Sequence, residues 1–215
     1  MPRLKPDTQR ARRDHILDAA EQCFARAGFH ATSMQHICRE AGVSPGALYV
    51  YFRSKEDLIA GLAERNRLEF QARFAQLAEA TDFFAALEAI GNAYFVEDEA
   101  YHRQICLEIG MESTRSATVG EIHRSVDDFV RLNFETLFQR MIDEGRIRPA
   151  HDAAALAKVF MVIGDGLFWR SAVDRSFDMA KTIPEIVEVI RQLLNPVDAS
   201  SVRHSAQPTV EEAAE

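Results

Sequence analysis

The sequence predicts an all-α protein of about nine helices, with a short three-helix unit at the N-terminus and a longer helical body behind it. Three observations carry this. Apolar residues recur at three- and four-residue spacing almost throughout. Capping residues and glycines punctuate that pattern at helix-length intervals. No stretch offers strands that could pair with one another. The one ambiguous step is Gly164-Asp165-Gly166, because Asp-Gly between apolar runs is also a hairpin signal. The Ala-rich lead-in from Ala153 to Lys158 keeps that step helical.

The elements follow in order. Ile16, Ala20, Cys23, Phe24 and Ala27 make one face of a helix over about 10–27, ended by Gly28. Thr32 and Gln35 have the spacing of a capping box for a very short second helix, which Gly42 stops. Ser44 caps a third helix of about seven residues, with Pro45 at its first position, where the missing N–H costs nothing. Ser54 and Asp57 open a long helix carrying Leu58, Leu62, Phe70, Phe74 and Leu77. Further helices are expected near 82–96, 98–113, 118–144, 152–174 and 182–194, the last with Pro184 in its first turn. The expected organisation is a head over 1–54 with a basic N-terminal arm, a helical body over 55–197, and a polar, disordered tail over 198–215.

Charge separates the head from the body. The 215 residues carry a net charge of -8, yet residues 1–55 hold nine Lys or Arg against five acids, so the remainder carries all the excess acid. That asymmetry suits a small polyanion-binding head on a body that phosphate would repel. Cys23, Cys38 and Cys106 are too few and scattered for a disulfide framework and fit a reducing compartment. No apolar run approaches the roughly 20 residues of a membrane span, so the expected location is the cytoplasm. No metal site is expected: His102 and Cys106 stand four apart with no third ligand nearby in sequence.

Three short helices, the last two joined by Gly42-Val43-Ser44, have the geometry of a helix-turn-helix, whose second member enters the DNA major groove. The run Gly28-Phe29-His30-Ala31-Thr32-Ser33-Met34, then Ala41-Gly42-Val43-Ser44, Gly46-Ala47-Leu48-Tyr49-Val50-Tyr51-Phe52 and Ser54-Lys55-Glu56-Asp57-Leu58 resembles the N-terminal domain of the tetracycline-repressor (TetR) family. The resemblance covers about residues 10–62. It implies backbone phosphate contacts from Tyr49, Tyr51 and Lys55, and from Thr32 and Ser33 across the groove. It implies base contacts from Pro45, Gly46, Ala47 and Val50, with Gln35 reaching in from the helix before. These are small or apolar, so methyl contacts to thymine fit and no bidentate Arg is offered. Arg3, Lys5, Arg10, Arg12 and Arg13 form an arm suited to the backbone or a minor groove, or simply to solvation.

The resemblance also implies a body that encloses a pocket for a small effector and pairs with a second chain. Aromatic and Met residues are frequent there, and each is open to two readings, core or pocket wall. Phe74, Phe134, Phe138, Met141 and Trp169 are the candidates for the wall, with Asn133 and Asp165 as polar contacts. Asp165 has three candidate partners: a polar or cationic ligand, a group across a dimer, or Arg170. The apolar faces of the last two long helices, through Leu156, Val159, Phe160, Ile163 and Leu167, then Ile186, Ile190 and Leu193, are the expected dimer seam. The partners implied are a double-stranded DNA operator, a second copy of the chain and a small apolar or aromatic effector, with no membrane and no cofactor. The function implied is that of a repressor released from a palindromic operator. A constitutive DNA binder without effector, and an enzyme using the central cavity, are the alternatives; no catalytic constellation stands out among the seven histidines.

Overall fold

The computed structural model describes residues 6–97 and 99–197. The expected tail, together with Arg3 and Lys5 of the basic arm, lies outside them. Among the described residues the fold is all-α: α1 (Pro6–Ala31), α2 (Met34–Glu40), α3 (Pro45–Tyr49), α4 (Lys55–Glu79), α5 (Phe83–Asn92), α6 (Ala100–Ser113), α7 (Ala117–Asp143), α8 (Ala153–Val173) and α9 (Met179–Leu194). A π-helical turn, Ala93–Glu97, extends α5. The Gly164-Asp165-Gly166 step lies inside α8.

Serine side chains start three successive helices. The Oγ atoms of Ser33, Ser44 and Ser54 accept from the backbone N–H of His36, Ala47 and Asp57, at 3.2, 3.2 and 3.1 Å. Each such cap contributes about 1 kcal/mol, which matters for helices as short as α2 and α3, since these cannot hold themselves together by propagation. The expected Thr32–Gln35 box is therefore displaced by one residue. Thr32 is 2% exposed, and its hydroxyl donates to the carbonyls of Cys23 and Gly28 where α1 bends. The bend is at Gly28, whose φ of 80° interrupts the helix.

The first hydrophobic cluster fills the head, with Phe24, Ile16, Ile37 and Leu48 almost fully buried. It does not stop at residue 54: Leu58, Ile59 and Leu62 of α4, Ile105 of α6 and Val119 of α7 belong to it. Helices α1 and α4 cross closely at Gly61, where an added Cβ would lie 2.9 Å from Leu17 and from Phe52. The second cluster joins the far half of α4 to α5, α7, α8 and α9.

The last helix starts earlier than expected. Asp178 caps α9 by accepting from the Lys181 N–H at 3.1 Å, which places Pro184 inside the helix, not in its first turn. The end of α9 is fastened to the α7–α8 connection: Asn195 takes the left-handed conformation, its amide donates to the Arg148 carbonyl at 2.8 Å, and Ile147 bridges Pro196.

Candidate DNA-binding surface and effector cavity

The outer side of the head is built from α2, α3 and the start of α4. Ser33, Gln35, Pro45, Gly46, Tyr49 and Val50 are exposed, Val50 at 78% and Tyr49 at 50%. Ala47 and Tyr51 are half-buried, and Tyr51 packs on the head core. A Cβ added at Gly46 would meet nothing within 4 Å. Thr32 cannot join this surface as expected, because its hydroxyl is spent on the α1 bend. Lys55 sits at the first position of α4, as expected for a phosphate partner, but its ammonium also donates to the Phe29 carbonyl and lies 4.2 Å from the centre of the Phe29 ring. Arg13, one of the described arm residues, pairs with Glu64 at 2.6 Å.

Behind the head lies a cavity of about 650 Å³, walled by parts of α4 to α9 and by the π-helical turn. Its aromatic residues form two groups. Phe74 meets Phe134 edge-on at 4.7 Å, and Phe134 packs on Phe160 at 5.1 Å. Tyr94, Phe95 and Phe168 form the other, with centroids 5.2–5.7 Å apart. Trp169 and Met111, both about half exposed, line it as well.

Of the expected wall residues, Phe74, Phe134, Asp165 and Trp169 line the cavity. Phe138 and Met141 do not: at 0% and 2% exposure they are core, covered where α8 packs against α7. Asn133 is also off the wall, and its amide donates to the Phe129 carbonyl of its own helix at 2.8 Å. Asp165 is not answered by Arg170. Burial pushes its carboxyl above the ordinary aspartate range; Asp127 pushes the same way and His123 opposes. His123, Asp127 and Arg73 also line the cavity, and the sequence reading passed over all three. A signal was present, since His123 and Asp127 are four apart on one helical face. No three His, Cys, Asp or Glu among the described residues are arranged to hold a metal.

The expected dimer seam divides in two. Leu156, Phe160, Leu167 and Ile190 are buried within the single chain and cannot meet a partner. Val159 is exposed, and Ile163, Ile186 and Leu193 are half-buried. The exposed apolar residues of these helices are Val159, Val162, Trp169 and Val173 on α8 and Val189 on α9. Both faces are apolar, so periodicity alone could not distinguish the inner one from the outer.

Helix α6 separates cavity from head and touches both. Cys106, Leu107, Gly110 and Met111 face the cavity. Ile105 enters the head core, the Glu108 carboxylate accepts from the Phe29 N–H at 3.4 Å, and the buried Glu112 lies 2.8 Å from His30. A second ionic group ties α1 to α4, where Arg65 reaches Asp18 and the buried Glu21. Desolvation raises the Glu21 carboxyl above its usual range, partly offset by Arg65 and by His102 of α6 at 3.8 Å.

Residues 16–62 match the family model described as bacterial regulatory proteins, tetR family, and residues 83–195 match that of the BetI-type transcriptional repressor, C-terminal. The chain belongs to the TetR family. It is a ligand-responsive DNA-binding transcriptional regulator, as TetR-family proteins are. The HTH-type transcriptional regulator UidR of Escherichia coli K12 is 30% identical over 163 residues, spanning 72% of this chain and 79% of UidR. The solved structure of Salmonella enterica GusR is 28% identical with a TM-score of 0.72, covering 86% of this chain and 95% of GusR. The SmeT–triclosan complex shares the fold at 22% identity, with a TM-score of 0.74 over 95% of this chain and 99% of SmeT. Among the described residues no helix is long and apolar enough to cross a membrane.

Proposed function

We propose that this TetR-family chain is a homodimeric repressor, released from a palindromic operator when a small, largely apolar and aromatic molecule fills the cavity behind its head. The observation that carries the reading is the shared wall. Helix α6 lines the cavity with Cys106, Leu107, Gly110 and Met111 and holds the end of α1 through Glu108 and Glu112. Ile59 of α4 belongs to both the head core and the cavity wall. A ligand that prefers one position of α6 and α4 therefore selects one position of the head, and only that preference can change operator affinity.

On the DNA side, Ser33, Tyr49 and Lys55 contact phosphates in this reading, with Gln35, Pro45, Gly46, Ala47 and Val50 over the bases. Neither backbone strain nor internal packing demands glycine at position 46, which leaves close approach to the DNA as its use. Val159 and Val162 on α8 and Val189 on α9 supply the outer face that a second copy covers, so that two heads reach successive turns of the major groove. The expected division into a head over 1–54 and a body over 55–197 is kept as a functional one. The reading requires no catalysis and places the chain with the chromosome, in the cytoplasm.

The only tryptophan, Trp169, lies on the cavity wall and reports on its occupancy. Compounds that quench Trp169 fluorescence should also release the protein from the DNA flanking its own gene, in a gel-shift assay, over the same concentration range. Retention on that DNA at saturating Trp169 quenching would refute effector control.

A further inference from the structure

The cavity is apolar except at a few points, and those points are unequal. Arg73 is already answered: its guanidinium lies 4.5 Å from the Tyr94 ring centre and 5.8 Å from that of Phe70, and it pairs with Glu69 at 3.6 Å. Asp127 and Asp165 are different. Among the described residues neither carboxylate has a Lys or Arg partner.

The two acids belong to one electrostatic group. Asp127 and His123 stand one turn apart on α7, and Asp165 on α8 responds to both. His123 also lies against α6, since a Cβ at Gly110 would be 3.8 Å from its Nε2. One imidazole faces two carboxylates, so the group holds more acids than bases. Beside Asp165 there is room, because Gly164 is on the cavity wall and a Cβ added there would meet nothing within 4 Å. Two like charges held together at the edge of an aromatic cavity are costly by themselves and become favourable around a cation.

We infer that the effector is a cationic amphiphile, whose amine or ammonium sits between Asp127 and Asp165 while its apolar body lies against Phe134, Phe168 and Trp169. The inference rests on the cavity being the effector site, as proposed above, and adds the chemical class. The aromatic wall supports it twice, by packing the apolar body and by presenting ring faces of the kind that already hold Arg73 over Tyr94. Because His123 touches α6, the charged end of the ligand acts at the helix that holds the head.

Three naphthalene probes of matched size separate the possibilities in calorimetric titrations of the full chain: 1-naphthylmethylamine, 1-naphthalenemethanol and 1-naphthoate. The amine should bind at least tenfold more tightly than the alcohol, and the naphthoate more weakly than either. The near-isosteric pair Asp127→Asn with Asp165→Asn should bring the amine down to the affinity of the alcohol and leave the alcohol unchanged. The alcohol or the naphthoate binding as tightly as the amine, with operator release intact, would overturn the cationic class while the cavity reading survives. If none of the three bound, both would fall. If the double variant kept the amine's advantage, the charged end would not lie between these two acids, and the inference would fail.

Discussion

The head and the body are held together by different means. In the head, Phe24, Ile16, Ile37 and Leu48 are almost fully buried and polar side chains tie the helices to one another: Arg65 to Asp18 and Glu21, Arg26 to Glu40, His30 to Glu112. In the body, aromatic rings pack against one another around about 650 Å³ of space, and the wall acids Asp127 and Asp165 have no Lys or Arg partner among the described residues. A filled, cross-tied unit moves as one piece, whereas a hollow one can change the shape of its wall at low cost. The contrast suits a regulator: the part that must fit DNA is cross-tied, and the part that must answer a ligand encloses open space.

The largest test of this contrast lies within the body. Phe138→Ala removes a ring that is fully buried in solid core and should cost about 3–5 kcal/mol in urea unfolding. Phe134→Ala, one turn earlier on the same face, only enlarges a void already present, and should cost clearly less while weakening effector response. Equal losses at the two positions would mean that the cavity wall is as tightly built as the core.

A smaller effect is expected in the head. Arg65→Met leaves the buried Glu21 without its main counter-charge and should cost about 3 kcal/mol. Its signature is pH dependence. The folded-state pKa of Glu21 is raised, so Glu21 favours the folded state below its unfolded pKa, and that contribution is lost as pH rises through the folded value. Without Arg65 the folded value climbs further, so the variant's deficit in thermal unfolding should be larger at neutral pH than in acid.

The smallest effect is again in the body. Asp165 also has a raised pKa, through desolvation and Asp127, so the native protein loses this contribution as pH rises from the ordinary aspartate range through the raised value. Asp165→Asn should flatten that decline in melting temperature and leave operator affinity unchanged. A steeper decline in the variant would show that Asp165 is paired in solution.

The sequence showed the helices well, because amphipathic spacing and capping residues are local properties. It failed where the deciding neighbour is remote in the chain. Thr32 and Ser33 are both sound caps, and the choice between them is made by two carbonyls freed at the Gly28 bend. Phe134, Phe138 and Met141 share a helical face, and only the placement of α8 makes one of them wall and the other two core. Asp165 stands out in the sequence as an acid in an apolar helix, but its neighbours His123 and Asp127 lie on a different helix, beyond the reach of periodicity. On α8 the same apolar spacing describes both an inner and an outer side, so Leu156 and Val159 could not be told apart.

Where the head ends has a consequence for protein engineering. Exchanging recognition helices between relatives assumes that a head can be cut away at the start of α4, yet this one draws Leu58 and Leu62 from α4, Ile105 from α6 and Val119 from α7. A chimera joined at residue 54 would graft a foreign head onto half of another protein's core, and onto acids at 108 and 112 that expect Phe29 and His30. The transferable module is discontinuous. It consists of the first sixty or so residues together with the head-facing side of α6 and the first turn of α7, and a regulator rewired for a new operator has to inherit all three.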